Sequence, residues 1–262
     1  MTVFERRDLG SGSHALVATP LVEIGVLAAF TERGGGVSAP PFDGLNVSFS
    51  VGDDPASVRE NRDRIVRGLE IDRFAIAGLV HGGKITRIGP KRGGAGYLDP
   101  VEAVAATDGL ATASKGVPTA VTTADCVPLI YASTSVPTIT VVHAGWRGFA
   151  AGIVDTAMRT YEDPEAVRVA IGPAIGPCHY EVASDVALAV AAGSEAGAVT
   201  SGDGNDLRLD LVATAKQVLG AAGAGLVIDT GLCTACEAER FFSHRRDGTT
   251  GRQVAIGTRT SI

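Results

Sequence analysis

Hydrophobic and polar positions along the chain predict short strands and helices that are interspersed rather than strictly alternating. Short apolar or alternating runs bounded by turn residues are typical of strands. Because several strands follow one another without an intervening helix, the pattern favours an α+β fold over a doubly wound parallel sheet. The predicted strands cover residues 25–30, 46–51, 74–80, 118–122, 127–131, 138–142, 167–171, 226–230 and 252–258.

A few segments carry the apolar spacing of helices. The clearest starts after Asp54, because an Asp cap followed by Pro55 at the first helical position is a strong helix start. This helix is expected to end at about Leu69. No repeat and no linker divides the chain, so we expect a single domain over 1–262. The other predicted helices cover 149–161, 184–192 and 209–222.

Composition narrows the function classes. The chain has 262 residues, of which 45% are hydrophobic, enough for a sizeable core. Its 23 Lys and Arg against 29 Asp and Glu give a net charge of −6, so we expect neither a nucleic-acid nor a membrane partner. No apolar run reaches the roughly 18 residues of a spanning helix, and the N-terminal residues lack the apolar run of a signal peptide. We therefore expect a cytoplasmic protein.

Three polar residues stand where apolar runs end and could carry chemistry. They are His81, Cys126 and His143. Two imidazoles and a thiolate suit Zn²⁺, and a set of three ligands leaves the open position found in catalytic zinc sites. Their sequence separation is too long for spacing alone to decide. From the residues alone, a partly buried thiol and two hydrogen-bonded histidines are an equal alternative.

The remaining cysteines do not form a recognisable motif. Four cysteines are too few for a disulfide framework. Cys233 and Cys236 form a CxxC pair, but a structural zinc site needs a second close pair, and the sequence contains none. We therefore interpret them as two thiols near a turn. The glycine-rich segment 171–180, which includes Cys178, fits a substrate wall and a tight connection equally well.

Seven blocks of the sequence, taken together, indicate one family. They are NVSFSVGDDPASVRENRDRI at 46–65, VHGGKI at 80–85, DGLAT at 108–112, TADCVPLIY at 123–131, VVHAGWRGFAAGI at 141–153, IGPAIGPCHYEV at 171–182 and CTACEAERFFSHRRDGTTGRQ at 233–253. In these blocks the chain resembles the YfiH-like family, also called the purine nucleoside phosphorylase or polyphenol oxidase "laccase-domain" family. The blocks occur in the family's order, and the combination of TADC with HAGWRG is highly specific.

The resemblance implies a layered single-domain α/β sandwich with mixed sheets, and zinc bound by His81, Cys126 and His143. It implies phosphorolysis of adenosine, inosine, guanosine and methylthioadenosine, and deamination of adenosine. The family is also described as a copper-dependent polyphenol oxidase, and some bacterial members as peptidoglycan editing factors. Multicopper oxidases hold several coppers through many histidines, whereas this chain has five. We therefore expect copper only by substitution for zinc, because copper outcompetes zinc at nitrogen and sulfur ligands.

Further residues are assigned by chemistry. Phosphorolysis needs cationic donors for phosphate, for which Arg62, Arg147 and Arg245 are candidates. Asn46, in the first matching block, is a further candidate for substrate contact. Deamination needs an acid that carries protons beside the metal, and Asp125 is the candidate; alternatively it orients a ligand imidazole.

Two other features of the sequence bear on mechanism and substrate. A metal-free hydrolase would use a Cys126 thiolate activated by His143, in the manner of a cell-wall editing enzyme. The chain also departs from the family at three positions. Ser50 stands where His is frequent, Leu79 where Gln is frequent, and His244 where Tyr is usual.

Overall fold

The computed structural model describes residues 3–202 and 206–260. The strands are β1 Phe4–Gly10, β2 Ser13–Ala18, β3 Val26–Thr31, β4 Ala75–Ile76, β5 Ile85–Arg87, β6 Gly109–Thr112, β7 Thr119–Thr123, β8 Val127–Ser133, β9 Ile139–Ala144, β10 Val167–Ile171, β11 Val199–Ser201, β12 Arg208–Asp210, β13 Leu226–Asp229 and β14 Gln253–Arg259. The α-helices are α1 Thr19–Val22, α2 Pro55–Leu69, α3 Trp146–Ala150, α4 Ile153–Met158, α5 Ser184–Ala192, α6 Leu211–Ala221 and α7 His244–Asp247. Short 3-10 turns occupy Phe49–Val51, Pro90–Arg92, Pro100–Glu102 and Pro164–Ala166.

Two six-stranded mixed sheets form the centre of the molecule. The first has the strand order β1-β2-β3-β14-β7-β4, and the second has the order β13-β10-β8-β9-β6-β5. Most neighbours are antiparallel, but β4 with β7, β5 with β6 and β10 with β13 are parallel. The predicted α+β class with mixed sheets is therefore confirmed.

The layering follows from strands that are apolar on both faces. In β8, Ile130 belongs to the core between the two sheets, whereas Leu129 and Tyr131 pack on the other face beside α4 and α6. On the first sheet, Ile65 and Leu69 of α2 pack with apolar residues of β2, β3 and β14. Each sheet is thus covered by helices on its outer face, as the family resemblance implied.

Several predicted elements are confirmed. Helix α2 covers Pro55–Leu69, and the Asp54 carboxylate accepts the Ser57 backbone N–H at 3.0 Å, as expected of a cap. Strand β10 and helix α5 also have the predicted bounds.

Three predicted elements are wrong. The strand predicted over 46–51 is a loop and 3-10 turn, because the Asn46 side chain accepts the Ser48 backbone N–H and bends the chain. The helix predicted over 149–161 is two helices, α3 and α4, separated at Gly152, which adopts a left-handed φ of 69°. The strand predicted over 74–80 is only Ala75–Ile76.

Among the described residues, no helix is long and apolar enough to cross a bilayer.

Candidate metal centre

The register of the second sheet brings two of the predicted ligands together. Strands β8 and β9 pair with Val127 opposite Ala144 and Pro128 opposite His143. Cys126 directly precedes β8, so its side chain lies beside the end of β9 that carries His143. Strand β6 pairs with β9 on the other side, with Gly109 opposite Val142. This pairing places Asp108 next to His143, whose backbone N–H donates to the Asp108 carbonyl at 2.8 Å.

The third ligand reaches the site from the loop after β4. The sequence predicted that His81 follows directly on a strand. In the structure, β4 ends at Ile76 and His81 lies beyond it in the loop. It adopts φ 57°, a left-handed conformation that is strained for a residue with a side chain. Its backbone N–H donates to Asp108 Oδ1 at 2.8 Å, and the N–H of Gly82 donates to Oδ2 at 2.7 Å. The buried carboxylate therefore holds this turn in place.

The ligand atoms of His81, Cys126 and His143 all lie within 4.8 Å of one another. The two imidazole rings have centroids 4.9 Å apart and planes at 87°. Gly145 makes room for this cluster, because a Cβ built there would stand 2.9 Å from Cys126 Sγ and 3.4 Å from His81 Cδ2. The backbone after β9 thus approaches the thiol more closely than any residue with a side chain permits.

Asp108 fixes the orientation of His143. Its Oδ1 lies 3.2 Å from His143 Nδ1, and Asp108 is fully buried. With Nδ1 held by the carboxylate, Nε2 is the nitrogen available to a metal, an arrangement common behind zinc-binding histidines. Burial raises the pKa of Asp108, but the hydrogen bonds from His143, Gly82 and His81 outweigh it, so the net pKa is lowered. Asp108 therefore stays ionised behind the ligand.

The charges of Cys126 and His143 stabilise each other. Burial raises the pKa of the Cys126 thiol, but the charges of and hydrogen bonds from His143 and His81 outweigh it and lower the pKa. Burial lowers the pKa of His143, but the Cys126 thiolate and the hydrogen bond to Asp108 outweigh it and raise the pKa to about 9. The thiolate is the form of cysteine that binds metals. A nitrogen–nitrogen–sulfur donor set with a thiolate fits Zn²⁺ and also Cu ions.

The ligand cluster forms part of the wall of an open pocket. The pocket has a volume of about 490 Å³, which is in the range of small-molecule sites. Apolar side chains, among them Ile175 and Leu211, form part of its lining. The three positions that depart from the family pattern, Ser50, Leu79 and His244, all line it. Substitutions at those positions therefore act on the pocket itself.

Three arginines line the same pocket. Arg147 stacks over Trp146 at 4.3 Å, and its guanidinium makes no hydrogen bond to the described part of the chain. Arg245 donates through Nη1 to two backbone carbonyls, which leaves its other donors for a ligand. Arg252 likewise uses Nη1 for the carbonyls of Thr250 and Gly251. Sequence reasoning missed Arg252, although pairing of β14 with β7 places it beside the turn that carries Cys126.

Two predicted substrate-binding residues lie elsewhere. Arg62 is 2% exposed, and its guanidinium donates to three backbone carbonyls at 2.7–2.8 Å. It therefore anchors α2 to the neighbouring loops, and its donors are used within the fold rather than in the pocket. Asn46 is fully buried, and its side chain pairs with Ser48, Asp53 and the Arg252 backbone N–H. Neither residue lines the pocket, so Asn46 can only act by positioning the segment that carries Arg252.

Asp125 lines the pocket, but both carboxylate oxygens are engaged. Oδ1 accepts the Thr234 hydroxyl at 2.6 Å, and Oδ2 accepts the Arg245 backbone N–H at 2.7 Å. Asp125 itself adopts φ 98°, which these contacts hold in place. The carboxylate that contacts the His143 imidazole is that of Asp108, not Asp125. Asp108 belongs to the matched block at 108–112, which was the only signal for it in the sequence.

Comparison with known proteins agrees with this fold. The family model described as "Multi-copper polyphenol oxidoreductase laccase" matches residues 27–259. A purine nucleoside phosphorylase of Pseudomonas aeruginosa, PA4543, is 38% identical over 235 residues, which cover 88% of this chain and 92% of that protein. The purine nucleoside phosphorylase YlmD of Geobacillus stearothermophilus is 38% identical over 249 residues, which cover 90% and 91%.

Solved structures give the same result. The crystal structure of YlmD from Geobacillus stearothermophilus superposes with a TM-score of 0.92 at 35% identity, over 100% of both chains. That of the Bacillus licheniformis hypothetical protein YfiH gives 0.88 at 32% identity, over 99% of this chain and 100% of that one. The fold and the Cys/His cluster thus define a class of mixed α/β proteins with a potential metal site. The chain belongs to the laccase-like YfiH family.

Proposed function

We propose that the protein is a zinc-dependent purine nucleoside phosphorylase that accepts adenosine, inosine, guanosine and methylthioadenosine. The observation that carries the proposal is the opening of the His/Cys/His cluster and three arginines into one pocket. Relatives named purine nucleoside phosphorylases support the same activity. Cytoplasmic location is part of the proposal, since nucleosides and phosphate are metabolites of that compartment.

The arginines are suited to hold the phosphate. Arg147, Arg245 and Arg252 retain donors that no described residue uses, and guanidinium groups bind phosphate oxygens in pairs. Phosphate held there attacks C1′ of the ribose, the glycosidic bond breaks, and its electron pair leaves with the base. The guanidinium charges lower the barrier by fixing the anion against the carbon it attacks.

The apolar side chains of the pocket are suited to the purine. Leu79, Ile175 and Leu211 line it together with the half-buried rings of Trp146 and Tyr180. Burial raises the pKa of Tyr180 to about 12, so its hydroxyl stays neutral and remains a hydrogen-bond donor. Flat apolar and aromatic surfaces bind a base without charge, and polar groups at the rim orient it.

His81, Cys126 and His143 would hold the metal, with Asp108 behind His143. When bound, Zn²⁺ supplies Lewis acidity to a substrate heteroatom. The chain's own contribution is to keep Cys126 as a thiolate and His143 Nδ1 hydrogen-bonded, so that both ligands face the pocket. Copper would enter the same ligand set by substitution.

Deamination of adenosine is the second candidate function, since the same ligand cluster faces the pocket where the base would lie. Asp125 is poorly placed to carry its protons, because both its oxygens accept hydrogen bonds. The polyphenol oxidase activity in the family's description is less well supported. Among the described residues, the Cys/His groups close enough to share an ion are this cluster and a second one built mainly from thiols, not the many histidines of multicopper sites.

A product assay separates these functions. Zinc-loaded protein is incubated with adenosine, with and without phosphate. We expect adenine and ribose 1-phosphate only when phosphate is present. Inosine in both reactions would favour deamination, and no turnover in either would contradict both and favour the Cys126/His143 cell-wall hydrolase. Arg147→Gln should raise the KM for phosphate more than tenfold, whereas Arg92→Gln, an exposed arginine outside the pocket, should leave it unchanged.

A further inference from the structure

A second group of potential metal ligands lies outside the pocket described above. Cys178 and His179, adjacent in the chain, meet the CxxC pair Cys233 and Cys236. All four ligand atoms lie within 4.8 Å of one another. The expectation that the CxxC has no partner pair is therefore wrong. The partner is a Cys-His dipeptide about 55 residues earlier, which motif spacing rules do not cover.

The distances within this group match a tetrahedral zinc site. Cys178 Sγ is 3.5 Å from Cys236 Sγ, and His179 Nδ1 lies 3.3, 3.5 and 3.8 Å from the sulfurs of Cys178, Cys236 and Cys233. A tetrahedron with Zn–S of about 2.3 Å and Zn–N of about 2.0 Å has edges of about 3.5–3.8 Å. The sulfurs are too far apart for a disulfide, whose bond is about 2.05 Å.

The surrounding backbone fits bound thiolates. The Gly176 N–H donates to Cys233 Sγ at 3.2 Å, the kind of N–H···S contact that stabilises a thiolate ligand. Three thiolates and one zinc ion carry a net charge of −1, and two arginines lie where they offset it. Arg208 donates to the Cys178 carbonyl at 2.7 Å, and Arg246 donates to the Thr234 carbonyl at 2.8 Å.

We propose that Cys178, His179, Cys233 and Cys236 bind a second, structural zinc ion that ties the segment 171–182 to the segment 230–240. All four positions of the ion are filled by protein, as in structural rather than catalytic zinc sites. The backbone of the two segments is otherwise joined by the hydrogen bond from the Thr230 N–H to the Ile171 carbonyl and by an isolated bridge between Ala174 and Cys233. A metal cross-link there stabilises the fold where neither helix nor sheet does.

The position of this site connects it to the pocket wall. The His179 carbonyl accepts a hydrogen bond from Arg245 at 3.1 Å, and the Thr234 hydroxyl donates to Asp125 at 2.6 Å. Ile175 and Tyr180, on the same segment as the ligands, line the pocket. The second ion would therefore hold pocket residues in place without touching substrate.

Metal counting on zinc-loaded full-length protein tests this proposal. Zinc is measured by mass spectrometry after exhaustive dialysis in reducing buffer. We expect two zinc ions per chain for the wild type, one for Cys236→Ser, one for Cys126→Ser and none for the double variant. Cys126→Ser is the matched control, since it makes the same substitution at the other cluster. Equal zinc in the wild type and Cys236→Ser, or no zinc in Cys126→Ser, would overturn the proposal.

A second measurement does not depend on how well Cys236→Ser folds. X-ray absorption at the zinc edge of Cys126→Ser reports only the second site. We expect three sulfurs at about 2.3 Å and one nitrogen at about 2.0 Å. A shell of nitrogen and oxygen alone, or a Cys178–Cys236 disulfide in freshly purified protein, would contradict the assignment. If Cys126→Ser lost its zinc and Cys236→Ser did not, the proposed metal centre of the enzyme would stand and only the second zinc site would be refuted.

Discussion

Asp108→Asn is the sharpest perturbation of the candidate metal centre. The carboxylate accepts the backbone N–H groups of Val80, His81 and Gly82 and lies 3.2 Å from His143 Nδ1. An amide has nearly the same shape but no charge, and it replaces one acceptor oxygen by an NH₂ donor. The substitution therefore changes electrostatics and hydrogen bonding while leaving the packing almost unaltered.

The expected losses of folding free energy and of metal affinity follow from these contacts. If the NH₂ replaces Oδ2, it faces the Gly82 N–H; if it replaces Oδ1, it faces the His81 N–H and His143. Either way at least one of these donors loses its acceptor, which costs about 1–3 kcal/mol of folding free energy. Removing the carboxylate behind a ligating imidazole also weakens metal binding by about 10–100-fold, or about 1.4–2.8 kcal/mol.

The assay is competition for zinc against a chromophoric chelator, with urea unfolding measured in parallel. Asp63→Asn is the matched control, because Asp63 accepts the Tyr97 hydroxyl at 2.9 Å and does not line the pocket. We expect a weaker zinc affinity for Asp108→Asn only. A folded Asp108→Asn protein with the wild-type zinc affinity would refute the role of this carboxylate.

Three further predictions concern stability and the site. Arg62→Met should lower the free energy of unfolding by about 1–3 kcal/mol for each of its three backbone acceptors left unsatisfied, and an unchanged KM for nucleoside would confirm that Arg62 does not bind substrate. Burial raises the pKa of Glu32, but hydrogen bonds from Arg6 and Arg240 outweigh it and lower the net pKa. Its ionised form therefore stabilises the protein above the unfolded-state pKa of about 4.3. Glu32→Gln should accordingly have a lower free energy of unfolding than the wild type at pH 7. Urea titrations should show this difference shrinking as the pH falls through the folded-state pKa of Glu32. Gly145→Ala places a methyl group 2.9 Å from the thiol ligand, so zinc titration should show weaker binding in a protein with an unchanged circular dichroism spectrum.

Local signals in the sequence correctly predicted where an element begins when capping residues mark that position. The Asp54 cap and the following proline specified the start of α2, and the structure has the helix there. The strand predicted at 46–51 failed because the Asn46 side chain competes for backbone hydrogen bonds, which periodicity does not reveal. The break at Gly152 likewise depends on one backbone conformation inside an apolar pattern that otherwise reads as continuous.

In the candidate site, too, sequence signals placed some residues correctly and others not. His81, Cys126 and His143 were predicted as a ligand set from their residue types and the family blocks, and the structure brings them together. Arg62, predicted as a phosphate ligand, lies outside the pocket. Its spacing from Val58 and Ile65 places it on the buried face of α2, and that signal was present in the sequence.

Local sequence patterns did not predict the positions of the other site residues. Asp108 and Arg252 take their places through pairing of β6 with β9 and β14 with β7, and such long-range register is not encoded in local pattern. The partner of the CxxC was hidden for the same reason, because the fold alone brings Cys178 and His179 to it.

Anomalous diffraction at the zinc edge, on crystals of zinc-loaded protein, tests the central claim most directly. The account predicts a strong peak bound by His81, Cys126 and His143 at about 2.0–2.3 Å from the ligand atoms, with its remaining side open to the pocket. Zinc found only at the Cys178 cluster, or imidazoles turned away from an empty centre, would contradict it.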